Sequence, residues 1–108
     1  MPDTAEPVAI EPDTLTGKQR HHLRGLAHAL KAIVLIGREG VTDAVVAATE
    51  QALLDHELIK VKVSDTADLD RNEAAEELAK RTNSHLAQVL GFTFLLFKAH
   101  PDNPKIVF

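Results

Sequence analysis

The chain has no cysteine, no tryptophan and no tyrosine. Without thiols it can hold neither a disulfide nor a thiolate-bound metal. Its four phenylalanines stand at positions 92, 94, 97 and 108, so an aromatic platform for stacking bases is not expected. No apolar run approaches the ~20 residues that span a membrane. The opening Met-Pro-Asp-Thr-Ala-Glu lacks the basic start and apolar run of a signal peptide, so the expected location is cytoplasmic, with no membrane partner. Two further absences concern charge. Residues 1–13 contain no Lys or Arg, and residues 18–38 contain no Asp or Glu.

What is present follows from those two gaps. Asp3, Glu6, Glu11 and Asp13 carry the whole formal charge of -4, leaving residues 14–108 neutral. Five of the twelve Lys and Arg, and three of the six His, fall between Lys18 and Arg38. Most acids of the neutral part lie between Asp43 and Glu77. Such a domain can still bind phosphate on one face, because screening confines charge effects to ~10 Å. A segregated basic stretch points to a polyanion rather than to a small-molecule substrate.

A chain of 108 residues suits one domain with one core. Residues 1–13, with three prolines and four acids, read as a disordered acidic tail that serves solubility or shields the basic face. Thr16-Gly17-Lys18-Gln19 fits a capping box. In the helix it opens, Leu23, Leu26, Ala27 and Leu30 share one side. His21, Arg24 and His28 point away from that side, flanked by Lys18, Arg20 and Lys31. A merely solvated face usually mixes signs in i,i+4 pairs, and this one contains no acid.

Ala32–Ile36 reads as a short strand buried on both faces. Gly37-Arg38-Glu39-Gly40 is a loop leading to a helix capped by Thr42, with Val41 and Val46 as a staple. Glycines let a bulky ligand approach the main chain, and a helix N-terminus favours an anion. Arg38 adds a donor fork suited to phosphate, and Glu39 opposes it. The second helix runs to about His56, with Ala44, Val45, Ala48, Ala52 and Leu53 inward. Glu57–Val63 is a strand in which Lys60 and Lys62 either protect an edge or extend a phosphate-binding surface. After a polar turn over Ser64–Asp70, a helix runs to Thr82 and stops at Asn83. His85–Leu90 and Thr93–Lys98 form a hairpin around Gly91-Phe92. Residues 101–108 form an extended C-terminal segment whose Ile106-Val107-Phe108 is placed to dock on the sheet.

The resulting order is α-β-α-β-α-β-β. It predicts a two-layer α/β domain with a mixed four-stranded sheet and right-handed crossovers through the second and third helices.

Three motifs in order, Lys18-Gln19-Arg20-His21-His22-Leu23-Arg24-Gly25-Leu26-Ala27-His28, Val34-Leu35-Ile36-Gly37-Arg38-Glu39-Gly40-Val41-Thr42 and His56-Glu57-Leu58-Ile59-Lys60-Val61-Lys62-Val63, resemble the CRM domain. CRM stands for chloroplast RNA splicing and ribosome maturation, and the bacterial stand-alone form is YhbY-like. The resemblance spans residues 14–100. It implies a fold similar to the C-terminal domain of translation initiation factor three, and RNA binding without catalysis. It also implies ribosomal RNA in large-subunit precursors as partner. The family's basic first helix maps onto Lys18, Arg20, Arg24 and Lys31, beside which His28 lies on the same front. Its loop maps onto Gly37, Arg38, Glu39 and Gly40, and Lys60 and Lys62 complete the candidate RNA contacts. Glu39 departs from the commonly polar or basic residue there and predicts a weaker loop.

No metal ligand set, no nucleophile–base pair and no cofactor motif is identifiable, so neither an enzyme nor a metal protein is expected. The competing class is an adaptor that docks a ribosomal or translation protein through the acidic second and third helices. Nothing in the sequence demands more than a monomer.

Overall fold

The computed structural model describes residues 15–65 and 70–106. The expected acidic tail, the middle of the Ser64–Asp70 turn, and Val107 and Phe108 lie outside the described residues.

Helix α1, Gly17–Ala27, starts at the expected capping box: Gln19 N–H donates to Thr16 Oγ1 and Thr16 N–H to Gln19 Oε1, both at 3.0 Å. It stops earlier than the apolar spacing suggests. Leu30 N–H folds back to the Ala27 carbonyl at 3.0 Å, a tightened final turn, so Leu30 and Lys31 belong to the connection into strand β1, Ala32–Ile36. Helix α2, Asp43–His56, is capped by Thr42, whose hydroxyl accepts from Val45 N–H at 3.1 Å. Strand β2 covers Leu58–Val63 and helix α3 covers Arg71–Thr82. Asp70 caps α3 by accepting from Asn72 and Glu73. Asn83 ends it in the left-handed region, φ 54°, as expected. Strands β3, His85–Leu90, and β4, Thr93–Phe97, close the chain's hairpin at Gly91, φ +60°.

The sheet order is β1-β2-β4-β3, with β1 parallel to β2 and the other neighbours antiparallel. This is the mixed four-stranded sheet the element order predicts. It has helices on both faces, which corrects the two-layer expectation. Ile59, Val61, Val63, Phe94 and Leu96 form one cluster with Leu53 of α2 and Leu78 of α3. Leu58, Ala87, Leu95 and Phe97 point the other way and pack with Leu15, Leu23 and Ala27 of α1. Strand alternation sends each half of β4 to a different face, which is why Phe94, Leu95, Leu96 and Phe97 are all buried.

Four local readings change. Ile33 and Leu35 are 52% and 59% exposed, because β1 is an edge strand covered only on the side of Val34 and Ile36. Leu26 is exposed on α1, since the helix turns only Leu23 and Ala27 into its cluster. Ala44 and Ala48 are exposed on α2, while Thr49 is buried there and donates to the Val45 carbonyl at 2.7 Å. Glu57 is not the start of a strand. It caps α2 at φ 64°, and its buried carboxylate accepts N–H bonds from His100, Lys105 and Ile106. Those bonds carry the chain after β4 back across the domain, where Ile106 packs on the α1-side cluster.

Candidate functional site

The sheet face that carries α1 is only partly covered, and the uncovered part adjoins the basic stretch. Arg24 and His28 each follow a packed residue, Leu23 and Ala27, by one position. That step turns them ~100° round the helix and brings them to the rim of the sheet. With His21 they overhang Lys60, Gln88 and Thr93 across a groove of about 390 Å³. None of the described residues lining this groove is acidic. The basic front is therefore a flank of α1 that faces the sheet, rather than the side opposite its apolar stripe.

The lysines of β2 belong to the same face. The strand is interior, paired on both sides, so neither Lys60 nor Lys62 protects an edge. Lys60 is half-buried and donates from Nζ to the Leu30 carbonyl at 3.1 Å, tying the exit of α1 to the sheet. Lys62 is exposed, about 7 Å further along the strand, between Leu35 of β1 and Thr93 of β4. Leu90, opposite Thr93 in register, completes that row and is 67% exposed.

Gly37–Gly40 begins where β1 ends, at the Lys62 end of the sheet. Ser64 N–H donates to the Ile36 carbonyl at 2.8 Å and binds the two strand ends together. The loop is a tight turn: Gly40 N–H donates to the Gly37 carbonyl at 3.0 Å, leaving Arg38 and Glu39 exposed at its tip. Gly40 has φ +79°, a conformation that costs an L-residue energy. The loop frames a shallow concavity with Thr42 and Val45, separate from the α1 groove. Arg81 of α3 holds its exit, donating to the Val41 carbonyl at 2.8 Å and pairing with Asp43 at 2.6 Å and Glu77 at 3.5 Å.

Of the residues singled out from the sequence, Arg24, His28 and Lys60 come together in one groove, with Lys62 beyond it on the same face. Lys18 lines a different shallow depression with His21 and His22. Arg20 is half-buried on the side of Leu23, and its Nε is buried without a hydrogen-bond partner among the described residues. Lys31 is exposed in the connection to β1. The sequence reading missed the open sheet residues Ile33, Leu35, Leu90 and Thr93, and the loop anchor Arg81. Alternation within β1 was the available signal for the first two. Among the described residues no group of three or more His, Cys, Asp or Glu is placed to hold a metal, and no helix is long and apolar enough to cross a membrane.

Residues 15–98 match the CRS1 / YhbY (CRM) domain model. The chain is 41% identical over 92 residues to the probable RNA-binding protein YqeI of Bacillus subtilis, covering 85% of this chain and 96% of that one. It is 36% identical over 91 residues to the probable RNA-binding protein PA4753 of Pseudomonas aeruginosa, covering 84% and 88%. A Haemophilus influenzae relative named RNA-binding protein is 36% identical over 85 residues, covering 79% and 86%. The solution structure of the hypothetical protein SAV1595 from Staphylococcus aureus superposes with a TM-score of 0.74 at 36% identity, covering 87% of this chain and 98% of that one. The chain belongs to the CRM domain family.

Proposed function

We propose that this CRM-family chain binds structured RNA without catalysing a reaction, and that it acts on ribosomal RNA during assembly of the large ribosomal subunit. The observation that carries the RNA reading is the groove, with no acid among its described lining residues, in which Arg24 of α1 and His28 at that helix's C-cap face Lys60 of β2, continued along the sheet by Lys62. Cations gathered on one face of a neutral domain suit a phosphate backbone. The names of the Bacillus, Pseudomonas and Haemophilus relatives support the same partner.

In this reading Arg24, His28, Lys60 and Lys62 form the centre of the contact, with Lys18, Arg20 and Lys31 around it. Gly37, Arg38, Glu39 and Gly40 offer a second phosphate contact at the end of the sheet. There, Arg38 supplies the charge, the glycines allow close approach, and Glu39 weakens it. Phosphate contacts of this kind fix position and orientation and carry little base information. The ribosomal assignment rests on resemblance to bacterial family members linked to large-subunit precursors.

Sedimentation of the tagged protein from lysate through a sucrose gradient at low and high salt tests it. Comigration with large-subunit precursors at low salt, lost at high salt, is the expected result. Protein at the top of the gradient in both conditions would remove the ribosomal role. An adaptor held by other proteins would survive nuclease treatment of the lysate, whereas an RNA-bound protein would be released.

A further inference from the structure

The exposed aliphatic residues of the sheet are not accounted for by phosphate binding. Leu35 on β1 and Leu90 on β3 stand out of the face that carries Lys62 and Thr93. In register across the four strands the row reads Leu35, Lys62, Thr93, Leu90. Three strand spacings make it ~14 Å wide. Two bare leucines that bracket a lysine and a threonine beside a basic groove mark a mixed apolar and cationic contact surface.

We propose that this row seats unpaired nucleotides of the bound RNA, with Leu35 and Leu90 against base faces and Lys62 and Arg24 on the phosphates between and beside them. The inference rests on the RNA reading above and says which form of RNA the site takes. Three observations favour this occupant. The cations stand within and beside the row, and no acid is among the described residues lining the adjoining groove, so the surface complements a polyanion. A protein partner fits less well, because lysine is depleted from the cores of protein–protein interfaces. A continuous RNA duplex also fits less well: its bases are stacked inside, and its exterior offers phosphates and 2′-hydroxyls to Leu35 and Leu90. An unpaired base has an apolar face for the leucines and a polar edge for hydroxyl and amide groups. Thr93 and Gln88 stand within reach of such an edge at the rim of the groove. Thr93 Oγ1 already donates to the Leu90 carbonyl at 3.0 Å, which orients its remaining lone pairs as acceptors.

Fluorescence anisotropy of the full chain against two labelled probes tests this: a short unpaired RNA of mixed sequence and a blunt RNA duplex of the same length. Wild type should prefer the unpaired probe. The double variant Leu35→Ser, Leu90→Ser should bind that probe about fivefold more weakly, as expected for losing a few tens of Å² of apolar contact. Its binding to duplex should not change. Both leucines are more than half exposed, and a thermal melt confirms folding. Leu54→Ser, at an exposed leucine on α2, should alter neither affinity. The double variant Arg24→Gln, Lys62→Gln should weaken both probes. Wild-type preference for duplex, or unchanged binding of unpaired RNA by the leucine variant, would overturn the inference while leaving the RNA reading intact. Loss of a protein partner by the leucine variant, with RNA binding retained, would also overturn it and assign the row to a protein. If wild type bound neither probe, the RNA reading itself would fail, and this inference with it.

Discussion

Glu57 and Ile106 lie forty-nine positions apart, yet the Ile106 N–H donates to Glu57 Oε1 at 2.8 Å. The same carboxylate accepts from Lys105 at 2.9 Å and His100 at 2.7 Å. The Glu57 carbonyl accepts from Lys98 N–H at 2.9 Å. One residue, bent into a positive-φ conformation at the end of α2, thus organises residues 98–106 after the last strand. That segment delivers Ile106 to the cluster under α1, and so helps to fix the helix that carries the basic flank.

Replacing Glu57 with Ala should cost about 3 kcal/mol or more, because three N–H donors lose an ionised partner inside the protein. Glu57→Gly should cost less than Glu57→Ala by about 1 kcal/mol, since glycine relieves the positive φ of 64°. Urea denaturation of the three proteins checks the order, and equal stability of the Gly and Ala variants would show that the backbone is unstrained.

The same carboxylate makes a pH prediction. Burial alone would raise its pKa, but the backbone N–H bonds from His100, Lys105 and Ile106, with the charge of His100, outweigh burial and hold it below the ordinary 4.5. A group whose folded pKa is depressed stabilises fully above the unfolded value and loses that contribution as pH falls through the folded one. The stability gap between wild type and Glu57→Gln should therefore be constant near neutrality and shrink below pH 4.5. Denaturation curves over that range measure it.

Arg81→Met should change stability by less than about 1 kcal/mol, since the Arg81–Asp43 pair is exposed and screened. Its larger effect should be local. Without the donor to the Val41 carbonyl, amide exchange over residues 40–45 should accelerate while the sheet stays protected. Unchanged exchange there would mean that the loop exit needs no anchor from α3.

The two loop glycines should separate folding from binding. Gly40→Ala should destabilise by roughly 1–2 kcal/mol because of its φ of +79°. A Cβ on Gly37 would meet nothing within 4 Å, so Gly37→Ala should fold normally. Loss of RNA affinity in Gly37→Ala would then report a phosphate lying against the loop backbone, and full affinity would remove Gly37 from the contact.

Binding should follow counterion release. The logarithm of the association constant should fall linearly with the logarithm of salt concentration, and Arg24→Gln and Lys62→Gln should each reduce the slope by about 0.7 on unpaired RNA. A slope that neither variant alters would take both side chains out of the phosphate contact.

Much of this molecule is written in short-range chemistry. The Thr16 capping box, the Thr42 and Asp70 N-caps, the left-handed Asn83 and the Gly91 hairpin all depend on residues within a few positions of one another, so the sequence determines them by itself, and with them the element order and the mixed sheet. The acid-free basic stretch over residues 18–38 is equally plain there, and so are the motifs that resemble the CRM domain. The tertiary structure decided what depends on partners distant in the chain. Ile33 and Leu35 read as core because a short apolar run looks the same at an edge as in the middle of a sheet; only the strand order exposes them. Lys60 and Lys62 fit edge protection and a phosphate-binding surface equally well until pairing on both sides of β2 removed the first reading. Glu57 looked like one more strand residue because its three donors come from positions 100 to 106. Arg81 carries no local sign of its role because the carbonyl it holds lies forty positions away. A side chain's local pattern shows which conformation it favours, but its exposure and its partners are set by which distant strands and loops the fold brings against it.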